Sequence, residues 1–82
     1  GAWVNLMGIG YSVRLTQHNK DADPQRIGVR LGRACIDKNV SVIEAARVLR
    51  VSRQTLYNWF SGKAVPLARF VPAVEAYLHV LG

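Results

Sequence analysis

Arg53, Gln54, Tyr57, Asn58 and Ser61 fall at positions i, i+1, i+4, i+5 and i+8, so on a helix they share one face. Each can donate a hydrogen bond and none is acidic. Guanidinium and carboxamide groups are the side chains that engage two atoms of a base edge at once. Arg pairs with guanine O6 and N7, and Gln or Asn with adenine N6 and N7, each good pair discriminating by about 1–3 kcal/mol. Arg53 and Gln54 open the segment, where the first turn of a helix can reach base edges, and Asn58 follows one turn deeper. Thr55 and Tyr57 suit phosphate oxygens or a thymine methyl.

Other chemistries find little support. Asp21, Asp23, Asp37, Glu44 and Glu75 are scattered along the chain, and no nucleophile–base pair accompanies them, so an enzyme is not expected. Cys35 is the single cysteine and His18 and His79 stand alone, which predicts neither a disulfide framework nor a metal centre. No cofactor and no small-molecule ligand are expected. No apolar run approaches the ~18 residues of a membrane span, and no secretory signal is expected. The expected location is the cytoplasm.

The charge has a direction. The net charge is +6 over 82 residues. Arg14 and Lys20 are cancelled by Asp21 and Asp23, while the nine Lys and Arg residues from Arg26 onward face only Asp37, Glu44 and Glu75. A basic domain behind a neutral leader favours a polyanionic partner, because counterions released from phosphates drive association.

Short elements must position the polar face. Ser52 is the N-cap of its helix, Leu56, Trp59 and Phe60 are its buried side, and Gly62 is its left-handed stop. Before it, Ser41-Val42-Ile43-Glu44 reads as a capping box, with Val42, Ala45, Ala46 and Leu49 as a buried stripe. An earlier helix is predicted from Pro24 to about Lys38, capped by Asp23, with Ile27, Leu31, Ala34 and Cys35 facing inward. Gly28 and Gly32 weaken that helix but permit a close neighbour. Leu67–Phe70 reads as a short helical turn, and Pro72 starts a last helix to Leu81. From Ile9 to Leu15 the alternation predicts a strand, with Trp3–Leu6 as its hairpin partner. The fold class is therefore all-α, a compact bundle of four to five helices with a possible N-terminal strand or hairpin. Residues 1–23 form an arm and residues 24–82 the domain.

The run Ser41-Val-Ile-Glu-Ala-Ala-Arg-Val-Leu-Arg-Val-Ser-Arg-Gln-Thr-Leu-Tyr-Asn-Trp-Phe-Ser-Gly-Lys63 resembles the helix-turn-helix of the phage lambda repressor and Cro family. Two short helices cross at a small residue, here Ala46, and the second lies in the major groove. The resemblance implies base contacts from Arg53, Gln54 and Asn58. Backbone contacts would come from the start of the preceding helix (Ser41 and Val42), from Thr55, Tyr57 and Ser61, and from Lys63 in the following loop. One departure stands out. The turn commonly carries Gly where this chain has Arg50, and a side chain in the left-handed region costs roughly 1 kcal/mol.

The expectation is a small transcriptional regulator, a repressor, that occupies double-stranded DNA as a homodimer. Two alternatives stay open: a DNA-recognition module of a packaging or recombination complex, and a basic module that binds a protein of the transcription machinery.

Overall fold

Serines set the starts of three helices in the computed structural model, which describes residues 11–82. Ser12, Ser41 and Ser52 are N-caps whose Oγ atoms accept from the backbone N–H of Leu15, Glu44 and Thr55 at 3.0, 3.0 and 3.1 Å. Each satisfies a donor that the first helical turn leaves free. The helices they start are α1 (Val13–Asp21), α3 (Val42–Leu49) and α4 (Arg53–Phe60). Between the first two lies α2 (Ile27–Asp37), and α5 (Val71–Leu81) follows a 3₁₀ turn at Ala68–Phe70. The result is an all-α bundle of five helices, with no strand among the described residues.

The stops are as regular as the starts. Asn39, Arg50 and Gly62 take left-handed conformations, with φ of 57°, 60° and 80°. Behind each, the next N–H reaches back five residues: Val40 to Cys35 at 2.9 Å, Val51 to Ala46 at 3.1 Å and Lys63 to Asn58 at 2.9 Å. These are Schellman closures of α2, α3 and α4. In the first two the following valine, Val40 or Val51, plugs against the core. In the third that place belongs to Lys63, which is exposed.

Arg50 thus holds the expected left-handed position (φ 60°, ψ 44°) without being glycine. Its side chain is exposed, so Arg50→Gly relieves the backbone without opening the core. It should stabilise the fold by about 1 kcal/mol, raising Tm by roughly 4–8 °C in thermal melts. An unchanged or lower Tm would mean that the Arg50 stem contributes packing equal to the strain.

Three sequence expectations are revised. The strand over Ile9–Leu15 is replaced, in its described part, by the start of α1; Trp3–Leu6 and Ile9 lie outside the described residues. The alternation misled because Val13 points to solvent at 86 % exposure, while Tyr11, Leu15 and Asn19, four apart, face inward. The helix predicted from Pro24 begins at Ile27. Asp23 makes a turn instead: its Oδ1 accepts from the Gln25 N–H at 2.9 Å and its carbonyl from Arg26 at 3.2 Å. Arg26 is extended there (φ −71°, ψ 132°) and its Nη1 donates to the Gly62 carbonyl at 2.9 Å. The end predicted at about Lys38 holds, with Asp37 the last helical residue and Lys38 its cap. The capping box at Ser41 is half formed, because the Glu44 carboxylate turns forward to Arg47 at 2.9 Å.

Helix α2 is the central element, touching α1, α4 and α5. Its buried side is wider than a single stripe: Gly28, Val29, Leu31, Gly32 and Cys35. Gly28 and Gly32 let α4 lie directly on it, since a Cβ at Gly28 would stand 2.9 Å from the Trp59 carbonyl oxygen and one at Gly32 would stand 2.8 Å from Phe60 Cγ. Phe60, Leu31, Leu56, Val29 and Val74 are the largest fully buried apolar side chains. Trp59 also meets Phe70 at 5.5 Å between ring centroids, which seats the 3₁₀ turn.

Two groups buried on this core are held in their neutral forms. The Tyr11 hydroxyl donates to the Val40 carbonyl at 2.6 Å, and burial pushes its pKa far above the usual phenol range, with Cys35 adding to the effect. Burial likewise pushes the Cys35 thiol up to about 11. Both pKa values are raised on folding, so their stabilisation is complete below the unfolded thiol value near 9 and is lost as pH rises beyond it. Tm should stay level from neutral pH to about pH 9 and then fall steadily toward pH 11. A level profile to pH 11 would contradict this account.

Candidate nucleic-acid interface

Helices α3 and α4 are joined by three residues, Arg50, Val51 and Ser52, and pack against each other, with Ala46 buried on α3. A larger side chain at Ala46 would have to displace its neighbours in the core. Leu56, Trp59 and Phe60 fix the inner side of α4. That leaves Arg53 and Gln54 exposed in the first turn, with Tyr57, Asn58 and Ser61 half-buried beyond them. Of the five residues anticipated as one face, Arg53, Gln54, Tyr57 and Asn58 lie on α4 and Ser61 is its C-cap, with Tyr57 also packed against the core.

Their hydrogen bonds divide them by availability. Gln54 Nε2 donates to Asn58 Oδ1 at 3.2 Å, so the two carboxamides brace each other one turn apart. Each keeps further groups free, as a bidentate base contact requires. Ser61 Oγ donates back to the Tyr57 carbonyl at 2.8 Å, which commits its proton to the helix end. Ser52 Oγ donates to Thr55 Oγ1 at 2.9 Å, and Thr55 is half-buried. Val42 has its side chain in the core, so any contact it makes outward comes from its backbone N–H at the start of α3. Ser41 beside it uses its hydroxyl as the cap.

The sequence reading missed a neighbour of this face. An open groove of about 380 Å³ runs between α1 and α4, bordered by Arg14, Leu15 and His18 on one side and by Gln54, Tyr57, Asn58 and Lys63 on the other. Arg14 and His18 are four apart on α1, a spacing that places them on one helical face. That signal was hidden by reading the segment as a strand. On the other flank Arg47, Arg50 and Arg53 rim a shallow apolar hollow floored by Ile43 and Val51. Cationic side chains therefore stand on both sides of the Gln54–Asn58 pair.

Among the described residues no cluster of His, Cys, Asp or Glu could hold a metal ion, and no helix is long and apolar enough to cross a membrane. Cys35 is a free, fully buried thiol within the core. No protein-family model, curated protein or solved structure matches this chain.

Proposed function

We propose that this chain is a sequence-specific, helix-turn-helix DNA-binding protein, similar in its reading mode to the lambda repressor and Cro family. In this reading α4 enters the major groove and Arg53, Gln54 and Asn58 contact base edges. Lys63, Tyr57, Thr55, Ser61 and the start of α3 at Ser41 and Val42 meet the sugar–phosphate backbone. It acts in the cytoplasm as a small transcriptional repressor, a homodimer whose two copies of α4 address half-sites about 34 Å apart. Its work is occupancy of an operator, not catalysis.

One observation carries the reading. Arg53, Gln54 and Asn58 lie along the solvent side of a helix whose other side is locked into the core. A polar face of that composition, without a carboxylate and rimmed by arginines, complements a phosphate-lined groove better than it complements an average protein surface.

Selection of bound duplexes from a randomised library at physiological salt tests it. The expected result is an enriched inverted repeat with half-sites one helical turn apart. Salt-sensitive binding with no enriched sequence would overturn the regulator reading and leave only a general polyanion affinity.

A further inference from the structure

We propose that α1 supplies a second bank of the DNA interface, in which Arg14 and His18 grip the sugar–phosphate strand bordering the groove that α4 enters. The inference rests on the DNA-binding reading above and extends it to an element that lies outside the helix-turn-helix. Arg14 and His18 are exposed and face Lys63, Asn58 and Gln54 across the groove between α1 and α4.

Dimensions select the occupant. An α-helix with its side chains is about 10–12 Å across and fills a major groove about 12 Å wide. A helix packed against it has its axis about 8–10 Å away, so α1 cannot enter the same groove and comes to rest over its lip. The lip of a major groove is the phosphate backbone. A guanidinium and an imidazole N–H are both donors suited to phosphate oxygens.

Helix α1 is held firmly in this place. Asn19, 1 % exposed, donates through Nδ2 to the Phe60 carbonyl at 2.8 Å and to the Val29 carbonyl at 3.1 Å. Arg33 Nη2 donates to the Asn19 and Lys20 carbonyls at 3.2 and 3.0 Å, closing the end of α1. Tyr11 stacks near Phe60 at 6.2 Å. Because α1 is fastened to the C-terminal end of α4, the helix that carries Arg14 and His18 is positioned before any duplex arrives, which lowers the ordering cost of binding.

The fold also sorts charges that cancel along the chain. Arg14 borders the groove, whereas Lys20 lines a different hollow with Arg33 and Asp37. Asp21 shares a lesser hollow with His18 and Lys63, and its Oδ1 accepts from Gln17 Nε2 at 3.0 Å. Among the described residues, the Lys, Arg, Asp and Glu side chains bordering the groove beside Gln54 and Asn58 are thus Arg14 and Lys63, both basic.

The test titrates the full chain into a labelled duplex carrying the selected site, and into a scrambled duplex, over a series of salt concentrations. Arg14→Ala should reduce the slope of log K against log salt by about 1, and Arg14→Ala with His18→Ala should weaken both duplexes by about tenfold. The preference for the selected site should remain, and Arg14→Lys should restore the slope. Both side chains are exposed, so melting temperatures should match wild type and exclude misfolding as the cause. Unchanged affinity and slope in the double variant would overturn the role of α1 while leaving the α4 reading intact. An altered base preference would also overturn it, because α1 would then reach bases. Wild-type protein that binds neither duplex would overturn both readings together.

Discussion

Replacing Arg53 and Gln54 together with alanine is expected to collapse discrimination between the selected duplex and a scrambled one by roughly 30-fold or more. Two bidentate pairs at about 1–3 kcal/mol each give that lower bound. Both side chains are exposed in the first turn of α4 and neither contributes to the core, so the folded state should survive and the loss should be one of reading. Gln54 also braces Asn58 at 3.2 Å, and its removal frees the Asn58 carboxamide, which makes the pair of losses non-additive. Lys63→Ala supplies the contrast. An ammonium that meets phosphate carries no sequence information, so this variant should weaken every duplex alike and lower the salt slope by about 1. The measurement is affinity for both duplexes, at one fixed salt concentration for the ratio and over a salt series for the slope. An unchanged ratio in the double variant would remove α4 from base reading.

The largest effect on stability is expected at Gly28. Valine there should cost about 3 kcal/mol or more, because overpacking a tight core contact forces backbone to move. A Cβ at Gly28 would stand 2.8 Å from Trp59 Cβ and 2.9 Å from the Trp59 carbonyl oxygen. The carbonyl is the more telling neighbour, since a backbone atom in the last turn of α4 cannot rotate aside as a side chain can. At 4–8 °C per kcal/mol for a domain of this size, Tm should fall by roughly 12–24 °C. Alanine at the same place should cost less, because its helix propensity returns up to about 1 kcal/mol. Small domains have little reserve to absorb such a loss. A Gly28→Val protein that melts within two or three degrees of wild type, read by circular dichroism, would show that α2 and α4 can separate cheaply. The consequence for DNA reading would follow from stability: α4 takes its orientation from the surface of α2, so pushing the two apart turns the polar face as well.

Much of α3 and α4 was legible from the chain alone. Ser41 and Ser52 before periodic apolar residues, and Gly62 after them, are local signals whose physics is complete within a few residues. The caps and the left-handed stop accordingly occur where they were expected. Arg50 shows the same logic in reverse: its place in the pattern predicted a left-handed residue, and the structure keeps it left-handed despite the side chain. The buried stripe of α3 was equally plain, since Val42, Ala45, Ala46 and Leu49 repeat at helical spacing and all four are buried.

What the sequence by itself determined, then, was the local conformation of α3 and α4 and the outer face of α4, because caps, periodicity and side-chain chemistry act over one or two turns. Only the tertiary structure decided where α1 lies. Tyr11, Val13 and Leu15 alternate like a strand, and the contacts that make the segment a docked helix come from Val40, Val29, Phe60 and Arg33, 10 to 41 residues away for the hydrogen bonds of Asn19 alone. The same distance hid the partnership of Arg14 with Lys63 around one groove. Glu44 makes the point at short range: its spacing from Ser41 allows a capping box, yet its carboxylate pairs with Arg47. Local pattern enumerates what a side chain can reach, and the surrounding fold sets which of those partners is near enough to win.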